Sequence, residues 1–422
     1  MASDLHVIDL FAGCGGLSLG LEKAGFKPVY VNELNSDALE SYLVNRDKRH
    51  PYLRDPSFHS NNVKELVTKP SLLVNLKKSL DRHHSLKIDD GDLDLLVGGP
   101  PCQGFSGIGH RRSYSVNKEQ LPSNHLYQDM AWLISKLLPK VFLFENVRGL
   151  LSARWSSSGN KGEVWKDVLK TFGELQDYRI NFDLVYAKDY GVPQNRPRVL
   201  LVGVRNDVDT SNWQKINSDV AGGFLPMPTE TAPNPIDLLG DLVDLNYKNG
   251  GETCFYPNKA TTKVQREFRL SLNNRDIARK GDSITEHKYS NHSDKVLSKF
   301  QAMVKNNGLI PENVKTKKFA QRLLPEIWGS SGPNITCTSL PDDYVHFSQP
   351  RTLTVREWAR LQGFPDWYQF AGKRTTGGIR RAGNPRDGIF DRELPKYTQI
   401  GNAVPVKLAK AIGDHFKLIL HP

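Results

Sequence analysis

The stretch DLFAGCGGLSLG, residues 9–20, decides the fold of this chain. It leads from an apolar run into a segment of helical length through a loop that holds Gly13, Gly15 and Gly16. Glycines at a strand-to-helix turn allow a tight turn and let a ligand approach the backbone closely. The loop departs from the full dinucleotide fingerprint, because Ser18 stands where a further glycine is usual. The stretch predicts an α/β domain with a ligand site at this turn.

The separation in sequence between the glycine loop and Glu33 is typical of a nucleotide-binding fold. Glu33 lies 20 residues after Gly13, at the end of the second apolar run. Folds of this type place an acid there to accept hydrogen bonds from ribose hydroxyls. Loop and acid together predict an adenosine-containing cofactor. A purely structural turn with a surface glutamate, and a nicotinamide-dependent oxidoreductase, are the alternatives that the loop alone leaves open.

Apolar runs and helical segments alternate over the first 205 residues. The runs span residues 6–11, 28–34, 92–99, 140–146, 182–187 and 198–204. Near-continuous apolar strands separated by helices predict a mostly parallel, Rossmann-like sheet that is covered on both faces. A short loop with prolines joins the last two runs, so we expect an antiparallel strand at one edge.

Length and charge extend this prediction. A chain of 422 residues is too long for one core, so two domains are expected. The net charge is +11, and residues 259–322 alone hold 15 Lys or Arg against 6 Asp or Glu. A surface that faces phosphates is the favoured interpretation, and a solvated basic surface is the alternative.

The four cysteines are far apart and form no CxxC pair, which argues against a zinc site or a disulfide framework. His287 and His292 have a spacing seen in some zinc sites, but without the cysteine pair we expect two surface histidines and no metal. The N-terminal stretch lacks an export signal, and the chain lacks an apolar run of about 18 residues. We therefore expect a cytoplasmic protein.

Cys102 occupies an unusual loop, GGPPCQGFS, at residues 98–106. The loop follows an apolar run directly, so it opens at the end of a strand, where parallel sheets hold their ligands. Pro100 and Pro101 fix two φ angles and make the loop rigid. This setting suits a nucleophile that must attack at a set angle. A buried structural cysteine is the alternative, but the neighbours supply little apolar packing.

Three further residues follow or precede strands at the same edge. Glu145 ends the run VFLFEN, and a carboxyl group among apolar neighbours suits a general acid. Arg196 and Arg198 flank a proline just before the last run and are predicted to face one way, toward a phosphate or a carboxylate. A helix cap for Glu145 and surface salt bridges for the arginines are the alternatives.

Seven segments occur in a diagnostic order, and together they resemble the DNA (cytosine-5)-methyltransferase family of bacterial restriction-modification systems. The segments are DLFAGCGGLSLGLEKAGF, NEL, GGPPCQGFS, FENVRGL, QNRPRV, RTLTVREWARLQGFP and QIGNAVP. They extend over nearly the whole chain and leave only about residues 206–325 without clear motifs. In the family that region is the variable target-recognition domain, and the basic stretch falls within it.

The resemblance implies a Rossmann-like S-adenosylmethionine-dependent methyltransferase fold with a smaller target-recognition domain. Residues 1–205 would form the catalytic and cofactor-binding domain, and residues 206–394 the recognition domain, most variable over 206–325. Residues 395–422 would return to the catalytic domain as a turn and a helix. The implied cofactor is S-adenosyl-L-methionine, with S-adenosyl-L-homocysteine as its product. The implied partner is double-stranded DNA, bound by a monomer, and a cognate restriction endonuclease is left open.

The family's motifs also assign roles. The implied cofactor-binding residues are Phe11, Ala12, Gly13, Gly15, Gly16, Leu17, Glu33, Asn62, Val63, Pro101, Asn402 and Val404. The pair Asn62-Val63 departs from the family, which has Asp before a β-branched residue at this place. Cys102 would add to carbon 6 of the target cytosine, and Glu145 would act at ring nitrogen 3. Arg196, with Arg198 beside it, would hold the base carbonyl.

Two other functions share these motifs. A non-catalytic DNA-binding module on this scaffold has no chemical need for Cys102, Glu145, Arg196 and Asn402. An enzyme that acts on tRNA has the same fold and motifs, but the sizeable variable region favours a reader of DNA sequence.

Overall fold

The fold is a seven-stranded sheet with helices on both faces and a smaller helical part. The computed structural model describes residues 4–101, 122–209, 218–312, 321–328, 344–375 and 393–420. The strands of the large sheet are β1 (Leu5–Leu10), β2 (Phe26–Asn32), β3 (His59–Ser60), β4 (Leu95–Gly98), β5 (Val141–Val147), β6 (Tyr178–Tyr186) and β7 (Pro197–Arg205). Their order is β3-β2-β1-β4-β5-β7-β6.

The mostly parallel sheet predicted from the sequence is confirmed. Strands β3, β2, β1, β4 and β5 are parallel neighbours, whereas β7 runs antiparallel to both β5 and β6. The antiparallel pair β6–β7 therefore forms one edge of the sheet, with the reversed strand second from the outside. All six apolar runs are strands. The periodicity missed β3, which has only two residues and no apolar side chain.

Twelve α-helices lie within the described ranges. They are α1 (Gly16–Ala24), α2 (Ser36–Val44), α3 (Val63–Thr68), α4 (Pro70–His84), α5 (Leu126–Leu137), α6 (Glu163–Gly173), α7 (Pro235–Leu239), α8 (Lys263–Phe268), α9 (Asp294–Lys305), α10 (Val355–Leu361), α11 (Lys396–Asn402) and α12 (Val406–Leu420). A short parallel pair, β8 (Arg322–Leu323) and β9 (Tyr344–Val345), lies outside the large sheet.

Alternate side chains of the strands face two separate cores, as the two-residue period of a strand requires. Ile8 and Leu10 pack on one face, together with the apolar sides of α4, α5 and α6. Leu5 and Val7 pack on the other face with α1 and α12. Burial on both faces explains why the strands are apolar throughout.

The helix α12 packs directly against α1, although the two are separated by almost the whole chain. A Cβ built on Gly20 would overlap the side chain of Ala409, and one built on Gly413 would lie 2.7 Å from the Cβ of Ala24. Small residues at both crossing points let the two helices approach closely. The last helix thereby supports the helix that begins at the glycine loop.

A third core combines Cys14 and Leu19 with apolar side chains of α7, α8 and α10, and a buried ionic network lies within it. Arg360 of α10 donates to Asp241 and to Asp366, each at 2.6 Å, and Arg269 donates to Asp241 at 2.8 Å. All four side chains are buried. Their charges compensate one another, which a buried guanidinium requires. Arg269 therefore belongs to the core, although the charge count placed it on a basic surface.

No helix in the described ranges is long and apolar enough to span a membrane.

Candidate active site at the carboxyl edge of the sheet

The glycine loop turns sharply where β1 ends. Phe11 has a left-handed φ of 58°, and Ala12 N donates to Asn32 O of β2 at 3.0 Å. Gly13 also has a left-handed φ, of 57°, and a Cβ built on it would meet no atom within 4 Å. Leu17 points the other way and is buried in the core of α1 and α12. The loop thus presents open space on one side, and a ligand can approach its backbone there.

Glu33 is tied to this loop, as its spacing predicts. Its carboxylate accepts hydrogen bonds from Gly13 N and from Asn35 N, both at 2.8 Å. Burial raises the pKa of Glu33, although these two hydrogen bonds oppose the shift. The adjacent Leu34 is 74% exposed beside the carboxylate. Sequence reasoning missed Leu34, and its only signal is its place next to Glu33.

The underside of the loop rests on side chains that no motif pointed to. Tyr368, which follows α10, donates from its hydroxyl to Cys14 O at 2.6 Å. Arg46 lies over the Tyr42 ring, with 3.7 Å from its guanidinium carbon to the ring centroid. The Nη2 atom of Arg46 lies 2.5 Å from Oε1 of Glu22. Burial opposes ionisation of Glu22, but the charge of Arg46 lowers the pKa of Glu22 to about 2. The loop therefore sits on a rigid, charge-balanced base.

We expect Gly15→Ala to destabilise the fold more than Gly13→Ala. A Cβ on Gly15 would lie within 2.9 Å of Arg46, Tyr42 and Tyr368, whereas a Cβ on Gly13 meets open space. Both residues have left-handed φ, which costs about 1–2 kcal/mol for alanine, so overlap makes the difference. The free energy of unfolding of Gly15→Ala should fall by at least about 2 kcal/mol more. Denaturant unfolding of both variants measures this, and equal losses would contradict the packing described.

The segment that runs from the end of α11 to the first residue of α12, called the 400–406 turn, covers the start of α1. A Cβ built on Gly16 would overlap Val404 O and touch Ala403, so only glycine fits beneath this turn. Val404 is buried, and Asn402 at the end of α11 is exposed. The structure therefore brings the first and last motifs of the chain into contact, as the sequence comparison with the family implies.

The segment after β3 approaches Glu33 from the other side. Glu33 N donates to Ser60 O at 3.0 Å, and the side chain of Asn61 donates to Glu33 O. Asn62 is exposed, and its side-chain oxygen accepts from Lys64 N at 3.1 Å as the N-cap of α3. Val63 is buried. Asn62 is thus the N-cap of α3 and follows Asn61, which contacts the backbone of Glu33.

Glu145 and Arg198 form an ion pair on neighbouring strands. The Nε atom of Arg198 lies 2.5 Å from Oε1 of Glu145, and both side chains are largely buried. The antiparallel pairing of β5 with β7 places Arg198 opposite Val147, two residues from Glu145. For Glu145 the sequence predicts a carboxyl group among apolar neighbours, with a helix cap as the alternative. The helix cap is wrong, because Glu145 lies inside β5, and the Arg198 guanidinium lies beside its carboxylate.

Arg196 contacts the backbone of α11. Its Nη2 atom donates to Gly401 O at 2.5 Å, and the side chain is buried. The prediction that Arg196 and Arg198 face one ligand assumed an extended strand, but β7 begins only at Pro197. Arg198 therefore lies beside Glu145, whereas Arg196 reaches the backbone at Gly401.

The proline pair lies next to the same carboxylate. A Cβ built on Gly99 would lie 2.7 Å from Oε2 of Glu145, and Asn146 donates to Pro100 O at 3.0 Å. Pro101 is exposed. Cys102 falls outside the ranges that the structure describes. The chain thus passes along Glu145 and Asn146 immediately before it reaches Cys102.

The two histidines with zinc-like spacing have other partners. His287 is fully buried, with its Nδ1 atom 2.9 Å from Thr354 Oγ1 and its Nε2 atom 2.9 Å from Leu242 O. Burial lowers the pKa of His287 to about 4. The expectation of a surface histidine at 287 is wrong. Within the described ranges, no group of three or more His, Cys, Asp or Glu side chains could hold a metal ion.

Relatives of known function resemble the chain over almost its full length. It is 29% identical to the type II methyltransferase M.DdeI of Desulfomicrobium norvegicum, over 97% of this chain and 88% of that protein. It is 30% identical to the type II methyltransferase M.PspPI of a Psychrobacter species, over 96% of this chain and 77% of that protein.

A solved structure shares the fold. It is that of a protein assigned as a DNA modification methyltransferase, encoded within an Escherichia coli prophage, at 24% identity and a TM-score of 0.66. The match covers 99% of this chain and all of that one. The sequence model for C-5 cytosine-specific DNA methylases matches residues 5–417. Because this match covers almost the whole chain, the protein belongs to the C-5 cytosine-specific DNA methylase family.

Proposed function

We propose that this protein methylates carbon 5 of cytosine at a specific sequence in double-stranded DNA, with S-adenosyl-L-methionine as methyl donor. The observation that carries the proposal is the Glu145–Arg198 ion pair, held beside the prolines that precede Cys102. The type II methyltransferase relatives support a role in protecting host DNA within a restriction-modification system.

A transfer assay with labelled methyl donor tests the proposal, with duplex DNA and tRNA as parallel substrates. We expect label in duplex DNA, released as 5-methylcytosine on hydrolysis. Label confined to tRNA would replace the proposal with an RNA-directed activity. Label in neither substrate would favour a binding module.

Cys102 supplies the nucleophile. Carbon 5 of cytosine does not attack a methyl group unaided, but addition of a thiolate to carbon 6 gives an enamine that is nucleophilic at carbon 5. When bound, S-adenosylmethionine supplies an electrophilic methyl group. Loss of the carbon 5 proton then lets the bond between carbon 6 and sulfur break, which restores the aromatic ring and frees Cys102.

Glu145 and Arg198 stabilise the charge that this addition creates. Electrons from the attacked double bond move toward ring nitrogen 3 and the carbonyl oxygen. Once protonated, Glu145 donates a hydrogen bond or its proton to nitrogen 3, and the Arg198 guanidinium holds the carbonyl. The ion pair between them fixes both side chains before the base arrives, so little reorganisation is needed.

The residues around the glycine loop fit the proposed cofactor. The open space at Gly13 admits a ligand, and Glu33 lies at its edge as an acceptor for ribose hydroxyls. The exposed Leu34 offers an apolar surface to the adenine ring. Asn402 and Val404 would close the methionine end, and Asn62 would approach the adenine amino group.

We expect Glu33→Gln to weaken binding of S-adenosylhomocysteine by about 10- to 100-fold, because hydrogen bonds to a charged acceptor are worth about 1.5–3 kcal/mol. Wild-type affinity should also fall as the pH is lowered, since protonation of Glu33 removes an acceptor. Because burial raises the pKa of Glu33, this fall should begin above the pH at which an ordinary glutamate titrates. Calorimetric titration at several pH values measures both effects. A variant with wild-type affinity and pH profile would exclude Glu33 from the cofactor site.

Double-stranded DNA would lie against the basic surface. A cytosine stacked in a duplex cannot reach Glu145, so the target base has to be flipped out. Phosphate contacts position the duplex, and side chains of the recognition domain would contact the base edges. The exposed basic residues of the 259–322 region within the described ranges are Lys259, Lys263, Arg266, Arg275, Arg279, Lys280, Lys288, Lys295, Lys305 and Arg322.

We expect replacement of Arg275, Arg279 and Lys280 by glutamine to weaken DNA binding and to flatten its salt dependence. Each lost phosphate contact should reduce the slope of log K against log salt by about 0.9. The matched control replaces Lys78 and Arg82 of α4 and Lys87 just after it, which are exposed residues outside the 259–322 region. Equal slopes in the two triple variants would remove this segment from the DNA interface.

A further inference from the structure

A chain of buried hydrogen bonds joins the loop before β7 to the turn at residues 400–406. Gln194 and Gln362 are each 1% exposed. The amide nitrogen of Gln194 donates to Leu361 O at 3.0 Å and also to the side-chain oxygen of Gln362. The amide nitrogen of Gln362 in turn donates to Ile400 O at 2.9 Å and to Ala403 O at 2.8 Å.

The same turn is held at two further points. Arg196 donates to Gly401 O, between the two carbonyls that Gln362 binds. Val406 N donates to the backbone oxygen of Gln362 at 3.1 Å. With these carbonyls directed inward, Asn402 is left exposed and Val404 lies on Gly16. Gln362 is therefore bonded to the turn on both sides of Asn402.

The other end of the chain of bonds, at Gln194, lies close in sequence to the ion pair. Gln194 lies four residues before Arg198, whose guanidinium contacts Glu145. Gln362 lies at the end of α10 and touches both the loop that leads to the ion pair and the turn beside the glycine loop. Within the described ranges, it thus links the loop that precedes Arg198 to the turn that covers Gly16.

We propose that Gln362 is a positioning residue. It holds the 400–406 turn against the glycine loop, and it fixes the position of the loop that contains Gln194 relative to this turn. This inference rests on the proposed function. A neutral amide suits the place, because it donates to two carbonyls and accepts from Gln194. A methionine there would remove all three of these hydrogen bonds and would take from the buried Ala403 O its side-chain donor, and such losses are costly.

The test compares Gln362→Met with Gln194→Met by S-adenosylhomocysteine titration and by steady-state kinetics. Gln362→Met should weaken binding of S-adenosylhomocysteine at least tenfold and lower kcat at least tenfold. Gln194→Met should keep that affinity within about twofold, because Gln362 still binds the turn, but lower kcat about tenfold. The matched control is Gln265→Met, which removes another buried amide, in α8, and should change neither quantity.

The outcomes separate this inference from the proposed function. A wild-type protein that does not bind S-adenosylhomocysteine would overturn the cofactor assignment itself. A binding wild type with a Gln362→Met variant of equal affinity and kcat would overturn the positioning role. If Gln362→Met does not fold, Gln362→Asn is measured instead, because its shorter amide cannot reach both Gln194 and the turn. Wild-type values in that variant would also overturn the role.

Discussion

Replacing Cys102 by serine is expected to abolish methyl transfer, with a loss of at least about a thousandfold, while S-adenosylhomocysteine still binds within twofold of wild type. A serine hydroxyl is a far weaker nucleophile than a thiolate at neutral pH, so addition to carbon 6 stops. The cofactor site is built from other elements, the glycine loop, Glu33 and the 400–406 turn. Its affinity should therefore be independent of the thiol.

Single-turnover transfer of labelled methyl groups to duplex DNA measures this effect. The matched control is Cys254→Ser, because Cys254 is a free, exposed cysteine of the smaller part. That variant should retain wild-type activity. Full activity of Cys102→Ser would remove Cys102 from the mechanism, and equal losses in both variants would point to a general effect of cysteine replacement.

Replacing Glu145 by glutamine is expected to lower kcat by about 10²- to 10⁴-fold, the range for loss of a positioned proton donor or acceptor. Glutamine keeps the size of the side chain but loses its charge and its exchangeable proton. The ion pair with Arg198 is lost too, so Glu145→Gln and Arg198→Met should be strongly non-additive.

Rapid-quench kinetics on the two single variants and the double variant measure this coupling. Glu163→Gln is the control, because Glu163 accepts backbone hydrogen bonds from Trp155 and Asn160 in a loop before α6. It should lower stability slightly and leave kcat unchanged. Additive losses for Glu145 and Arg198 would show that the two side chains act separately.

Much of the large sheet could be predicted because its strands are buried on both faces. Each is a nearly continuous apolar run, and the sequence displays it directly. The strand β3 could not be found in this way, since His59 and Ser60 carry no apolar signal. Its place is set by pairing with β2 at Val31 and Asn32.

The site was predictable where it depends on neighbours along the chain. Glu33 and the glycine loop are separated by one helix and one strand, so their spacing brings them together. The partners of Arg196 and Arg198 could not be predicted from spacing along the chain. Their different partners depend on where β7 begins and on a turn some 200 residues away, at Gly401. Spacing alone cannot reveal either.

The residues that hold the site in place could not be predicted either, because their partners are distant in sequence. Tyr368 beneath the glycine loop, and Gln362 beside the 400–406 turn, contact residues far away in sequence. Both lie just after α10, and although Gln362 belongs to the motif RTLTVREWARLQGFP, the motif does not reveal its partners. Only the packed structure shows that this region is bonded to the glycine loop, the 400–406 turn and the loop before β7.

Mapping 5-methylcytosine across the genome of a methylation-free host tests the central claim most directly. Cells that express the wild-type protein should carry 5-methylcytosine at one recurrent sequence, and cells that express Cys102→Ser should carry none. A genome free of 5-methylcytosine in cells with the folded wild-type protein would contradict the assignment of this chain as a sequence-specific DNA cytosine-5 methyltransferase.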